Sequence, residues 1–203
     1  MTAPSGPALD ALLRSRLPLA DRDWRSLPDL RDAAVLAPLF LRGGEEHLLL
    51  TKRREDLPDH PGQVSFPGGA REGDEDPVAC ALRETAEEIG IAPATIEVLG
   101  RLPDRVSIAG FFVAAFVGRI PEPRDLRVDD REVEQVLEVP LRLLLDERRW
   151  RYEDRTGPRG AFRAVPFFAW EGPPVWGLTG MFVRDLIAAV GSSSREGSRW
   201  PRP

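Results

Sequence analysis

The chain of 203 residues has little of several residue types: one cysteine, one lysine, one tyrosine, two histidines and two methionines. A lone Cys80 excludes an intramolecular disulfide and any multi-cysteine zinc site, so a reducing, cytoplasmic setting is expected. No long apolar run is present. The strongest, residues 108–117, falls far short of the roughly 20 residues a membrane-spanning helix needs. The first residues lack a basic stretch followed by an apolar one, so they do not read as a secretory signal. An excess of positive charge is absent too: 28 basic residues face 33 acidic ones, a net charge of −5, and nothing global draws the chain to nucleic acid or to an anionic membrane. There is no P-loop, no G-x-S-x-G elbow, no Gly-rich dinucleotide fingerprint and no internal repeat.

What remains is an ordinary globular composition, 42% hydrophobic and 30% charged, long enough for one elaborated domain. Residues 1–31 read as an N-terminal extension, partly helical over residues 8–17 and broken by proline after that. Residues 32–190 read as the domain, and residues 191–203 as a polar tail expected to be disordered. Within the domain, residues 33–41 and 47–51 are apolar and flank Gly43-Gly44, which predicts a hairpin. Residues 57–69 predict a loop with one short strand at 64–66. Further strands are expected at 96–102, 111–119 and 164–170, with 133–139 a strand or a turn into a helix at 141–145, and a last helix at 178–190. Strands and helices interleave without a strict βαβ rhythm, which predicts a mixed sheet with flanking helices.

The clearest local signal lies between these elements. Asp76 caps a helix, Pro77 suits its first turn, Val78, Leu82, Thr85 and Ile89 recur on one face, and Gly90 ends it. Glu84, Glu87 and Glu88 then project together from the opposite face. Like charges on one turn repel, and a hard divalent cation, Mg²⁺ or Mn²⁺, is the partner that an all-oxygen set selects. Such an ion completes its shell with waters and phosphate oxygens, so the helix points to phosphate chemistry.

The spacing around this helix resembles a known signature. Gly69, Glu75, Arg83-Glu84, Glu87-Glu88 and Gly90-Ile91 stand as in G-x5-E-x7-R-E-U-x-E-E-x-G-U of the Nudix hydrolases, with Thr85 where an aliphatic residue is usual. That resemblance implies an α/β/α sandwich and metal-dependent cleavage of a nucleoside diphosphate linked to another group. It implies Glu84, Glu87 and Glu88 as metal-binding carboxylates, the Gly69 carbonyl as a further donor, and Arg83 with Glu75 as a brace between loop and helix. A general base is expected in Glu84 or in the acidic run at 129–134, with Glu132 the first choice there and Glu134 the second.

Upstream, Leu49 to Arg53 and His60 to Gly69 resemble the additional motif of coenzyme A diphosphatases within that group, as do Glu138-Val139-Pro140-Leu141 and residues 175–180. The sequence departs from it at Arg54, Pro58, Ala109 and Ala115, and Pro58 replaces an arginine able to hold phosphate. The implied reaction is hydrolysis of coenzyme A or an acyl-CoA to 3′-phosphoadenosine 5′-phosphate and a 4′-phosphopantetheine. Two alternatives stay open at this point: another nucleoside diphosphate derivative such as ADP-ribose, a dinucleoside polyphosphate or a modified nucleotide, or a non-catalytic nucleotide- or CoA-binding regulator. Lys52, Arg53, Arg54, His60 and Gln63 are the expected substrate contacts. On a strand Arg53 points away from Lys52 and Arg54, so not all three can serve one ligand. Cys80 reads as a packing thiol, and Trp176, Met181 and Phe182 as core. The partner expected is a small molecule, with no nucleic acid and no membrane, and pairing with a second copy of the chain is left open.

Overall fold

In the computed structural model of the protein, residues 4–19, 23–58, 60–157 and 160–191 are described. The hairpin expected around Gly43-Gly44 forms, with longer arms: β1 (Arg31–Arg42) and β2 (Glu45–Arg53) run antiparallel with Leu39 opposite Leu48. Both turn glycines have positive φ, 59° and 83°, which matches the twist of a tight hairpin. On the other side of β1 lies β7 (Phe111–Arg119), parallel to it, and this pairing makes the sheet mixed. The sheet has eight strands in the order β3-β2-β1-β7-β5, with β5 at Glu97–Arg101. The short strands β3 (Val64–Ser65), β4 (Gly68–Ala70) and β6 (Arg105–Val106) pair with β2, β1 and β7, and β8 (Val133–Pro140) also pairs with β2. The loop expected over 57–69 thus holds the start of a second strand, β4, as well as β3.

Side chains alternate along these strands and sort into two layers. Ala33, Ala37, Leu39, Val113, Ala115 and Val117 pack on one face with α1 (Pro7–Arg16) and α4 (Gly177–Val190). Ala34, Leu36, Ala114 and Phe116 pack on the other with α2 (Pro77–Ile89). The result is the expected α/β/α layering. Leu9 and Leu13 of α1 are fully buried in the main core, and Arg119 of β7 fixes the helix through Asp10 (3.0 Å) and Glu46 (2.7 Å). Residues 7–17 are therefore packed into the same core as the sheet.

Segment 133–139 is a strand, and the following helix, α3, spans Leu141–Leu144. A second sheet of three strands, β9 (Trp150–Gly157), β10 (Gly160–Phe168) and β11 (Val175–Trp176), lies before α4. The sequence pattern left β9 unassigned because charge falls on both of its faces: Arg151, Glu153 and Arg155 alternate with Tyr152 and Asp154. Pairing with β10 holds it instead. The tail expected to be disordered lies, from residue 192 on, outside the described residues. Among the described residues no helix is long and apolar enough to cross a membrane.

Candidate active site

Helix α2 begins and ends where its sequence dictates. The Asp76 carboxylate accepts the Ala79 N–H at 2.8 Å, Pro77 opens the first turn, and Gly90 closes the last with φ 74°. A Cβ at Gly90 would lie 2.7 Å from that of Arg127, so both backbone and space require glycine there. Thr85, at the position where an aliphatic residue is usual, is buried. Its hydroxyl donates to the Ala81 carbonyl at 2.6 Å, so no polar group is left bare against the sheet.

The three carboxylates of α2 do not share one environment, contrary to their equal projection expected from the helical spacing. The Glu87 side chain is 59% exposed and that of Glu84 17%, while Glu88 is 6% exposed. Helical periodicity fixes an angle, and on this helix the angle of Glu88 points beneath the backbone of β4. Burial, followed by the neighbouring Glu84, pushes its carboxyl up to about 8, against the opposing pull of Arg53 and the Gly68 N–H. Its Oε2 has no hydrogen-bond partner. Burial also raises Glu84.

Arg83 does more than brace the loop through Glu75, the role that the resemblance implies. One nitrogen, Nη1, donates to Glu84 and to Glu87, each at 2.9 Å. The other edge of the guanidinium donates to Glu75 at 2.9 and 3.1 Å and to the Ala70 carbonyl at 3.1 Å. Arg83, and then burial and the Glu72 N–H, act on Glu75, whose carboxyl is lowered to about 2. Trp24, from the segment ahead of β1, donates its indole N–H to the Glu75 carbonyl at 2.8 Å. Loop and helix are thus joined through one residue held at both its side chain and its backbone.

Among the described residues no three His, Cys, Asp or Glu side chains converge closely enough to ligate an ion in these positions. Arg83 accounts for this, since it draws Glu84 and Glu87 to itself. The donor chemistry nevertheless fits a hard divalent cation: carboxylate oxygens only, a buried Glu88 oxygen without a partner, and two carboxyls destabilised as anions by their surroundings. Gly69 belongs to this arrangement, because a Cβ there would fall 2.5 Å from the Glu84 carboxylate. A side chain there would have to displace the Glu84 carboxylate from its place beside β4.

A cleft of about 580 Å³ opens at Gly68-Gly69, within the range of about 300–1,000 Å³ usual for small-molecule sites. Its walls come from β1, β7, the 106–109 loop, the second sheet and the start of α4. Arg31, Arg53 and Arg155 line it, and among the described residues no aspartate or glutamate does, although the chain as a whole is acidic. Of the expected substrate contacts, Arg53, His60 and Gln63 line the cleft; His60 and Gln63 also meet each other at 3.0 Å. Lys52 and Arg54 do not. Lys52 pairs with Glu134 (3.0 Å) and Glu55 (3.2 Å), and Arg54 with Asp56 (2.8 Å). The strand pleat separates them: Arg53 takes the side of Leu49, which packs with Ile89 of α2.

Glu132 and Glu134 are separated by an irregularity at the start of β8, where Lys52 stands opposite Gln135 and Arg53 opposite Val133. The Asp129 N–H donates to the Glu88 carbonyl at 2.9 Å and the Arg54 N–H to the Glu132 carbonyl at 3.0 Å, which brings Glu132 beside the site. Its carboxylate lies 3.7 Å from Arg53 and acts electrostatically on both Glu84 and Glu88. Glu134 is turned away to Lys52. Arg31, Phe111, Arg155 and Phe162 line the cleft without having been singled out in the sequence, because no local spacing links them. Trp176, Met181 and Phe182, expected as core, line it as well, and only Phe182 among them is fully buried. Cys80 is buried, and burial and Glu75 hold its thiol at about 12, which suits packing rather than nucleophilic attack.

Residues 30–158 match the family model described as NUDIX domain. The chain belongs to the Nudix family. It is 39% identical over 183 residues to a protein of Enterobacter sp. (strain 638) named "Uncharacterized Nudix hydrolase NudL", covering 90% of this chain and 94% of that one. A protein of the same name from Escherichia coli (strain SMS-3-5 / SECEC) is 41% identical over 162 residues, 79% of this chain and 83% of that one. Among solved structures, a Caenorhabditis elegans Ap4A hydrolase binary complex aligns with a TM-score of 0.48 and 22% identity, over 54% of this chain and 80% of that one. As a Nudix hydrolase the protein acts on the pyrophosphate bond of a nucleoside diphosphate derivative, with a divalent cation as the family's usual cofactor.

Proposed function

We propose that this Nudix hydrolase cleaves the diphosphate of coenzyme A or an acyl-CoA, giving 3′-phosphoadenosine 5′-phosphate and the 4′-phosphopantetheine half. The observation that carries the reading is the charge of the cleft: among the described residues three arginines and no carboxylate line it, and it opens through Gly68-Gly69 onto the carboxylates of α2. A polyanion with apolar arms fits walls of this composition, and the residues from Leu49 to Gly69 resemble the coenzyme A diphosphatase motif apart from Arg54 and Pro58.

Glu84, Glu87, Glu88 and the Gly69 carbonyl would hold the divalent cation, which when bound offsets charge on the diphosphate and acidifies a water. Arg53 holds a diphosphate oxygen at the mouth of the site, where its guanidinium already balances Glu88 and Glu132. Glu132 accepts the proton of the attacking water. The water oxygen forms a bond to one phosphorus, the bridging P–O bond breaks, and its electron pair leaves on the other phosphate. Arg83 and Glu75 keep the loop and helix in register.

The test is a product analysis by mass with Mg²⁺ or Mn²⁺ and a panel of coenzyme A, acyl-CoA, ADP-ribose, a dinucleoside polyphosphate and nucleoside triphosphates. Higher kcat/KM on the CoA compounds is the expected result. Preference for ADP-ribose or another nucleotide defeats the substrate assignment, and tight CoA binding without turnover of any compound defeats the enzymatic one.

A further inference from the structure

We infer that Arg31, laid flat on Phe111, is a binding site for a second phosphate of the substrate, a monoester that is not cleaved and that the nucleoside half carries. The inference rests on the substrate reading above and extends it to a group outside the reaction. Arg31 opens β1 and faces the cleft, with its guanidinium carbon 4.0 Å from the centre of the Phe111 ring. Among the described residues no carboxylate pairs with it. Most arginines of this chain that stand near the surface do have such a partner, as Arg54 with Asp56 and Arg131 with Asp129. An exposed guanidinium stacked on a ring keeps one face covered and leaves its N–H edges free, the posture in which arginine takes phosphate oxygens two at a time.

Position supports the same conclusion. Val35 stands opposite Gly68, where the cleft meets the carboxylates. Arg31 is four residues back along β1, ~13 Å at the rise of an extended strand. A group bound there lies beyond the cleaved anhydride, on the part of the substrate that extends along β1. The opposite wall offers a second arginine, Arg155, 5.2 Å from the Trp176 ring, but Glu153 engages it at 2.6 Å. Among the described residues Arg31 is thus the cleft arginine that is both distant from the reacting bond and uncommitted. Coenzyme A has a phosphate at the required place, on the 3′ oxygen of its ribose.

The experiment compares coenzyme A with 3′-dephospho-CoA in the wild type, Arg31→Gln and Arg31→Lys, all with saturating Mg²⁺. A hydrogen-bonded charge pair contributes enough for a loss of about tenfold or more in kcat/KM on coenzyme A in Arg31→Gln, chiefly through KM. The same variant should change 3′-dephospho-CoA by less than twofold, and Arg31→Lys should recover part of the loss. Equal loss on both substrates, or loss on neither, overturns the inference. A second readout separates this failure from failure of the substrate reading: calorimetric binding of adenosine 3′,5′-bisphosphate and of adenosine 5′-monophosphate. The wild type should prefer the bisphosphate and Arg31→Gln should not. Absence of CoA turnover with this preference intact would remove the proposed function and keep the subsite. Absence of the preference, or Arg31-dependent binding of inorganic phosphate alone, removes the subsite.

Discussion

Removing the divalent cation should expose the proton that Glu88 holds, and the effect can be followed in both stability and stoichiometry. In the metal-free protein the Glu88 carboxyl titrates at about 8, whereas in the unfolded chain it titrates near ~4.3. Between these values the folded state keeps a proton that the unfolded state has shed. The contribution is therefore complete at low pH and is lost as pH rises through 8. Its slope is about −1.4 kcal/mol per pH unit near pH 6 and flattens beyond 8, which gives about 2 kcal/mol between pH 6 and 8. Glu84, also raised by burial, adds in the same direction. For a chain of this length that loss lowers Tm by roughly 4–8 °C. A cation binds only the ionised carboxylate, so its binding should release about 0.9 proton from Glu88 at pH 7, about half a proton at pH 8, and almost none at pH 9.5. Calorimetric titration of Mg²⁺ in two buffers with different protonation enthalpies measures the release, and thermal melts with and without Mg²⁺ measure the stability. Glu88→Gln should flatten both pH dependences. Proton release that is the same at pH 7 and 9.5, or a metal-free Tm that does not fall more steeply with pH in the wild type than in Glu88→Gln, would refute the reasoning.

Two further expectations follow from contacts around the same helix. Glu132→Gln should lower kcat by about 10²-fold or more, the usual contribution of a general base, with Mn²⁺ affinity changed less than threefold, whereas Glu134→Gln should stay within about twofold because it breaks only a solvent-screened pair with Lys52; equal losses in the two variants sink the assignment. Trp24→Phe keeps a ring packed against the core between α2 and the sheet but deletes the hydrogen bond to the Glu75 carbonyl, so urea unfolding should show a loss of about 1 kcal/mol and kcat should fall severalfold at unchanged KM; wild-type values for both would leave Trp24 without a part in holding the loop.

How much of this was legible in the sequence depended on whether the information was local. Helix α2 was legible to the residue: Asp76, Pro77 and Gly90 are end signals that work through neighbouring backbone groups, and they act so in the structure. The carboxylate turn was legible for the same reason. The different fates of Glu84, Glu87 and Glu88 were not, since burial depends on what lies opposite the helix, and that is β4, brought in by pairing with β1. The Lys52-Arg53-Arg54 run shows the boundary between the two cases. Strand alternation told that Arg53 points away from its neighbours, but only the sheet's packing on α2 decides that Arg53 is the one at the site.

The cleft itself was the least legible part, and its chemistry explains why. Arg31, Phe111, Arg155 and Trp176 come from segments far apart in the chain, and each is unremarkable alone. Their common property is negative: together with the rest of the described lining they contain no carboxylate, in a chain whose acidic residues outnumber its basic ones by 33 to 28. Acid is instead concentrated beneath the floor of the cleft, on α2 and in Glu132, where the surroundings make Glu84 and Glu88 unfavourable as free anions. A phosphorylated ligand alone would be repelled by that floor, and a cation alone would meet arginines at the walls. Only the two together neutralise both surfaces, so metal and substrate should bind with positive coupling, each tightening the other by the same factor.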